Sequence, residues 1–198
     1  MKKLSSAQRE LLSFSQDLVG KELEQKNPIQ VRSIEGLLPL TSAQHRIWLI
    51  HKLYPNTNAY NIGIYYTING DIDGAKLEQH LQTLVTRHVA LRTNISEIDG
   101  QPCQTYQSLQ TPVLTQLSCK KADVTAKLRA LEEQTFDLKI DKLYRFQLIS
   151  DELGNHVLAM VFNHIISDGW SLEMFVAELA NLYNEQPLTE LPFSFADY

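Results

Sequence analysis

One histidine lies where the sequence could support proton-transfer chemistry. His164 follows the apolar run "HVLAMVF" of residues 156–162, and Asp168 and Gly169 come four and five positions after it. A histidine at the end of a buried strand is held by rigid backbone, and its ordinary pKa of about 6.5 suits proton transfer or hydrogen bonding at neutral pH. Asp168 can cap a following helix or pair with an arginine, and Gly169 permits a close backbone approach. Taken alone, such a histidine is more often structural than catalytic.

Two strands and a helix are predicted to position this histidine. Residues 144–148 alternate between apolar and polar side chains as in a strand, and a turn at residues 153–155 leads into the apolar run. Because that run is apolar on both faces, it is predicted to be the central strand of its sheet. A helix is predicted after Gly169. Its apolar face consists of Leu172, Phe175, Val176, Leu179 and Tyr183.

The N-terminal half of the chain alternates between helical and strand patterns. Thr41 and Gln44 match a capping box and predict the start of a helix. An alternating strand over residues 62–68 precedes Asp73, which is predicted to open a second helix. The apolar stripe of that helix consists of Leu77, Leu81, Leu84 and Val85. Residues 4–24 carry apolar side chains at loose helical spacing and predict an appended helix ahead of a polar linker.

The middle of the chain is predicted to be a meander of short strands. Asp99 and Gly100 stand between "LRTNIS" and "CQTYQ" as a hairpin signal, and a further strand, "PVLTQLS", follows. Residues 124–131 then show a helical pattern. Both tryptophans, Trp48 and Trp170, are interpreted as core residues.

Composition excludes several classes of function. The chain has 198 residues, 43% hydrophobic and 21% charged, which is enough for one sizeable core. The net charge of -5 provides no basic stripe for a nucleic acid. Cys103 and Cys119 have no spacing typical of a zinc site or a disulfide framework, so a reducing cytoplasm is expected. No signal peptide or membrane span is recognisable in the sequence.

Five segments carry a family resemblance when they are taken in order. They are "LTSAQHRIWLI", "RHVALRTNI", "FDLKIDKLYRFQLI", "FNHIISDGWS" and "FADY". Together they resemble the N-terminal half of a condensation domain of nonribosomal peptide synthetases over roughly residues 36–198, with residues 1–35 as an N-terminal helix and linker. The HxxxDG pattern of the fourth segment is shared with chloramphenicol acetyltransferase.

The resemblance implies an α/β (α+β) two-layer sandwich, a chloramphenicol acetyltransferase-like lobe with a mixed sheet covered by helices. In that family, a second lobe meets the first, and the histidine lies at the floor of a tunnel between them. This chain is expected to be the first lobe, truncated before the second, and to be inactive on its own.

The implied reaction is that of an acyltransferase that forms an amide bond. An acyl or peptidyl thioester and an aminoacyl thioester react while phosphopantetheine holds each on a carrier domain. The expected partners are therefore donor and acceptor peptidyl carrier domains, the C-terminal lobe and a downstream adenylation domain. No cofactor or metal is expected to bind this chain directly.

The resemblance also assigns roles to individual residues. His164 matches the histidine that orients the attacking amine or takes its proton, and Gly169 matches the glycine whose N–H faces the reacting centre. Asp168 matches a structural aspartate that pairs with an arginine, for which Arg87 and Arg92 are the candidates. Asp168 is then expected to point away from the cleft.

One departure from the family pattern leaves alternatives open. The family usually has two adjacent histidines, whereas Asn163 stands in the first position here. Asparagine can still hydrogen-bond if that residue only supports its neighbour, but it cannot handle a proton. A non-catalytic condensation-like module that recruits a partner is therefore one alternative, and a related coenzyme-A-dependent acyltransferase is another.

Overall fold

The structure, a computed structural model, describes residues 37–109, 111, 113–194 and 197, so the predicted helix of residues 4–24 and its linker lie outside the described residues. Helices and strands follow one another along most of this range. In chain order they are β1 Leu38–Pro39, α1 Ser42–Leu53, β2 Asn61–Ile68, α2 Gly74–Arg87, β3 Thr93–Ile98, β4 Gln101–Tyr106, β5 Leu114–Cys119, α3 Val124–Glu133, β6 Tyr144–Asp151, β7 His156–Asn163 and α4 Gly169–Tyr183.

The larger sheet is mixed and has the strand order β2-β7-β6-β5. Strand β7 runs antiparallel to both neighbours, and β5 runs parallel to β6. The apolar run before His164 is therefore an inner strand, as the sequence predicted. The two neighbouring strands form hydrogen bonds with its backbone along both edges. Its carboxyl end is therefore a rigid support for the residues that follow.

The prediction of a meander in the middle of the chain is wrong. Strands β3 and β4 form the expected hairpin, but the other edge of β4 is occupied by β1, and β5 joins the larger sheet. A helix fixes the start of β5: the Glu78 carboxylate of α2 accepts hydrogen bonds from the N–H groups of Val113 and Leu114, at 2.8 and 2.6 Å. Local sequence predicts a hairpin well, but contacts between distant segments determine which sheet the next strand joins.

Helices cover the mixed sheet, which confirms the predicted α/β class. On one face of β7, Leu158, Met160 and Phe162 pack with α2 and α4 in one core cluster. On the other face, Ala159 and Val161 belong to a second cluster. That cluster also contains Ile47 of α1 and Leu131 of α3. Alternate side chains of one apolar strand therefore supply both cores.

The helix starts agree with the sequence, but one tryptophan does not lie where it was predicted. Thr41 and Gln44 form the capping box of α1, and the Asp73 side chain caps α2. Trp48 is partly buried against the second core cluster, whereas Trp170 is 75% exposed, so its assignment to the core is wrong. Trp170 lies in the first turn of α4, away from the face that buries Leu172, Phe175 and Leu179.

Across the described ranges, no helix combines the length and apolar character of a membrane span.

Candidate functional site

His164 lies immediately beyond the last residue of β7 and is exposed to solvent. Its backbone N–H donates to the carbonyl of Tyr60 at 2.7 Å, and the N–H of Asn163 donates to the carbonyl of Leu143 at 2.9 Å. Hydrogen bonds to the segments that precede β2 and β6 therefore hold the main chain around the histidine. The predicted position, at the end of an inner strand with the ring accessible, is confirmed.

A cavity of about 470 Å³ opens beside His164. This volume falls within the range of about 300–1,000 Å³ that is typical of small-molecule sites. Most of the surface that lines it is apolar, although many of the lining residues also carry a hydroxyl, amide or other polar group. The residues that line it are Thr41, Ala43, Gln44, Ile47, Val89, Ala90, Thr93, Gln104, Tyr106, His164, Ile165, Ile166, Ser167, Asp168 and Ser171.

Asn163 holds the turn that carries the histidine. Its side chain is fully buried, and its Oδ1 accepts a hydrogen bond from the N–H of Ile165 at 3.0 Å. Its backbone carbonyl accepts from the Ile166 N–H at 3.1 Å and from the Ser167 hydroxyl at 3.3 Å. The asparagine therefore closes a compact turn with both its side-chain and its main-chain oxygens, which gives it a structural role beside the candidate site.

A buried histidine lies behind Asn163. His51 of α1 is 7% exposed, and its Nε2 is 3.4 Å from the Asn163 Nδ2. Burial lowers the pKa of His51, which favours the neutral imidazole. A neutral ring with its proton on Nδ1 leaves Nε2 free to accept from the asparagine amide. His51 is thus a second support for the turn, and no sequence signal pointed to it.

Asp168 is the N-cap of α4 and forms a reciprocal capping box with Ser171. Its pKa is lowered mainly because the carboxylate accepts a hydrogen bond from the Ser171 N–H, with further contributions from the nearby Ser171 side chain and from His164. The residue is exposed and lines the cavity. The prediction that it points away from the cleft is therefore wrong, whereas capping, the other role considered for it, is the one observed.

The predicted ion pair between Asp168 and an arginine is also wrong. The guanidinium of Arg87 pairs with Glu178 of α4 at 3.2 Å and donates to the carbonyl of Thr189. Arg92 donates to three backbone carbonyls at the end of α2 and in the segment after β4. A cation is favourable at a helix C-terminus, where backbone carbonyls lack partners within the helix. Both arginines therefore stabilise the scaffold and do not hold the aspartate.

Glu178 is a structural residue that the sequence did not reveal. One carboxylate oxygen binds Arg87, and the other binds the Nε2 of His88. All three side chains are largely buried between α2 and α4, with exposures of 18%, 23% and 14% for Arg87, His88 and Glu178. The segment "RHVALRT" therefore contributes to helix packing next to the cavity. The sequence alone could not identify Glu178 as the acidic partner, because it lies 90 residues away from His88 along the chain.

Gly169 is the first residue of α4. A Cβ added there would contact nothing within 4 Å, and its φ is not in the left-handed region. The described residues therefore give no steric reason for a glycine at this position. Its N–H belongs to the first helical turn, where backbone donors have no partner within the helix.

No cluster of three His, Cys, Asp or Glu side chains suited to a metal ion occurs among the described residues. The polar groups around the cavity are instead hydroxyls, amides, one imidazole and one carboxylate. This set can orient a substrate by hydrogen bonds and can exchange a proton through His164.

Comparisons of the chain with a family model and with known proteins indicate the same family. A family model described as the condensation domain matches residues 34–198. The chain is 32% identical over 194 residues to one linear gramicidin synthase protein of Brevibacillus parabrevis, and 36% identical over 177 residues to another from the same organism. These alignments cover 90% and 83% of this chain but only 4% and 2% of the two relatives.

Solved structures show the same fold. The starter condensation domain of rhizomide synthetase RzmA has a TM-score of 0.73 at 24% identity, over 81% of this chain and 41% of that chain. The X-domain solved in complex with OxyB from teicoplanin biosynthesis has a TM-score of 0.74 at 28% identity, over 85% of this chain and 39% of that chain. The chain thus spans about two fifths of each of these structures.

Proposed function

The chain belongs to the condensation-domain family, and from this premise we propose that residues 36–198 are the N-terminal half of a peptide-synthetase condensation domain, preceded by a helix and linker at residues 1–35. The proposed reaction forms an amide bond between two thioesters, one acyl or peptidyl and one aminoacyl. The observation that supports it best is the position of His164, exposed at the end of an inner strand and facing a cavity of ligand size.

In this proposal, the α-amine of the aminoacyl thioester attacks the carbonyl carbon of the donor thioester. A C–N bond forms, the C–S bond breaks, and the proton lost by the amine reaches the departing thiolate. His164 orients the amine, or it accepts the proton of the amine and passes it on to the thiolate. The N–H of Gly169, in the first turn of α4, serves the developing oxyanion as a donor.

The neighbouring residues hold these two groups in place. Asp168 caps α4 and so fixes the backbone of Gly169, and Asn163 closes the turn below His164. Neither role requires Asn163 to exchange a proton, so an asparagine in place of the first family histidine is compatible with the chemistry. In this mechanism, the asparagine is a structural replacement for the histidine of the family pattern.

The phosphopantetheine of a carrier domain is the group that the family implies. An open cavity with a largely apolar surface and a few hydroxyl and amide groups suits the pantetheine part of this arm, which is flexible, uncharged and contains amides. The hydroxyls of Thr41 and Ser167 are the side-chain groups we assign to hold it. The arm would supply the reactive thioester, and donor and acceptor carrier domains would be the partners that deliver it.

A binding function is the second candidate, and two observations favour it. The first family histidine is replaced by Asn163, and one solved relative, the X-domain, is in complex with the protein OxyB. A module of this kind would recruit a partner protein and would need no reaction at His164. The two candidates differ in whether amide formation depends on that imidazole.

The test uses the complete condensation domain that contains this chain, with loaded donor and acceptor carriers. We expect His164→Ala to lower the rate of amide formation by roughly 10²–10⁴-fold, the usual contribution of a positioned acid or base. His156→Ala is the matched control, because this histidine begins the same strand that ends before His164. Equal rates for wild type and His164→Ala would reject the catalytic proposal, and a wild type without condensation that still binds a partner protein would favour recruitment.

A further inference from the structure

The side chain of Gln44 connects three parts of the lobe at the candidate site. It is 6% exposed, and its Nε2 donates to the carbonyl of Ile165 at 3.1 Å and to the Oε1 of Gln104 at 3.3 Å. Its Oε1 accepts from the N–H of Thr41 at 3.0 Å. Both protons of the buried amide are therefore used, and neither of the groups that accept them is on α1 itself.

The backbone around His164 is fixed by three hydrogen bonds on successive peptide units. The His164 N–H donates to Tyr60, the Ile165 N–H donates to the Asn163 side chain, and the Ile165 carbonyl accepts from Gln44. Fixing three consecutive peptide planes leaves little freedom in the backbone dihedrals of His164 and Ile165. Gln44 supplies one of the two hydrogen bonds on the third unit, since the N–H at the other end of that unit donates to the Asn163 carbonyl at 3.1 Å.

Gln44 is itself anchored to the smaller sheet. Gln104 of β4 accepts from it and donates through its own Nε2 to the carbonyl of Pro39 in β1, at 2.9 Å. A chain of side-chain amides thus runs from the smaller sheet to the turn after β7. Buried amide networks of this kind are rigid when every member is satisfied.

We propose that Gln44 is a positioning residue for His164: it holds the Ile165 carbonyl and thereby sets the direction in which the imidazole enters the cavity. This inference rests on the proposed function for its catalytic consequence, but the structural effect on His164 can be measured separately. Gln44 does not act on the substrate in this proposal.

The substitution Gln44→Glu separates positioning from helix capping. Glutamate keeps the acceptor for the Thr41 N–H, and it is a residue that capping boxes commonly use at this position. It loses both donations, so the Ile165 carbonyl and the Gln104 Oε1 face a carboxylate in place of an amide. Gln44→Met, which is neutral and similar in length, removes the donations without burying a charge, but it also removes the acceptor for the Thr41 N–H. It serves as the second variant if Gln44→Glu does not fold.

A matched control must lower stability without affecting the turn. Asp73→Ala removes the two hydrogen bonds that cap α2, to the N–H groups of Ala75 and Lys76, and Asp73 does not line the cavity. Any effect shared by the Gln44 variants and Asp73→Ala therefore reflects general destabilisation.

The first measurement uses this chain alone and does not depend on catalysis. In amide hydrogen exchange by NMR, we expect the His164 and Ile165 N–H groups to exchange at least about tenfold faster in the Gln44 variants than in Asp73→Ala, because a local opening becomes easier. The ring Cε1–H signal of His164 is also expected to shift or broaden. Exchange rates and ring signals equal to those of the control would overturn the inference.

The second measurement uses the complete condensation domain with loaded carriers. We expect kcat to fall by about 10–100-fold with little change in KM, since a misplaced catalytic group costs rate more than binding. An altered His164 signal with unchanged kcat would reject a catalytic consequence of the positioning. If His164→Ala is as active as wild type, the proposed function fails, and the exchange experiment alone then decides whether Gln44 positions the histidine.

Discussion

Asp168 and Ser171 form reciprocal hydrogen bonds at the first turn of α4. The Ser171 N–H donates to the Asp168 Oδ1 at 2.8 Å, and the Asp168 N–H donates to the Ser171 hydroxyl at 2.8 Å. The aspartate of the HxxxDG pattern is thus occupied within its own helix. Its structural importance follows from capping and requires no arginine.

This relationship predicts a modest cost for losing the carboxylate. We expect Asp168→Ala to lower the free energy of unfolding by about 0.5–2 kcal/mol, the usual value of an N-cap, and Asp168→Asn to retain most of the stability because asparagine also caps well. Urea denaturation of the two variants measures the difference. A loss of about 3–5 kcal/mol would instead indicate a buried ion pair.

The predictions that succeeded depend on neighbours in sequence. The capping box of Thr41 and Gln44, the cap at Asp73 and the turn at Asp99 and Gly100 are all confirmed. Asp99 and Gly100 adopt φ angles of 50° and 77°, as a two-residue hairpin turn with two left-handed residues requires. Each of these features is formed by residues that lie within a few positions of one another, so residue types and spacing identify them.

The predictions that failed concern partners distant in sequence. The family resemblance implied an arginine partner for Asp168, with Arg87 and Arg92 as the candidates. The sequence could not show that the first arginine pairs with Glu178 and that the second donates to backbone carbonyls. Likewise, Gln44 was recognised as part of a cap, whereas its bond to Ile165 spans 121 positions. The candidate histidine could be identified from the sequence because the strand before it and the helix after it are its neighbours along the chain. The residues that support it could not be identified, because only the tertiary fold brings them close to it.

Asn163 is predicted to contribute more to stability than an ordinary polar residue. Asn163→Ala removes the acceptor for the Ile165 N–H inside the protein, and a buried donor without a partner costs about 1–3 kcal/mol. Chemical denaturation of the variant measures this loss. Asn58→Ala is the control: Asn58 is exposed, and surface substitutions usually change stability by less than about 0.5 kcal/mol. Equal effects at the two positions would contradict a structural role for Asn163.

His51 is predicted to make stability depend on pH. Its folded-state pKa lies below the ordinary value because of burial, so the unfolded chain takes up a proton first. The contribution of neutral His51 is therefore fully present above about pH 6.5 and is lost as pH falls through the lowered folded-state pKa. Urea midpoints measured between about pH 7.5 and 5 should decline less steeply in His51→Gln than in wild type.

The exposed His45 of the same helix provides the control for this experiment. His45→Gln removes an imidazole from α1 without changing a buried group, so its midpoints should follow the wild-type decline. If His51→Gln and His45→Gln show the same pH dependence, protonation of His51 does not determine the acid sensitivity of the lobe.

The last prediction is that this chain alone folds but does not condense thioesters. Two core clusters on opposite faces of β7 supply the burial that a domain of this size needs, so a cooperative unfolding transition is expected by circular dichroism. Catalysis is different, because His164 is exposed beside an open cavity of this lobe, whereas the family resemblance implies a site between two lobes. Fixed approach of two reactants can supply about 7–11 kcal/mol of barrier reduction, and a single lobe cannot impose it. Mixed with loaded donor and acceptor carriers, the chain should give no amide product above the protein-free background. Product that disappears in His164→Ala would show that one lobe is enough.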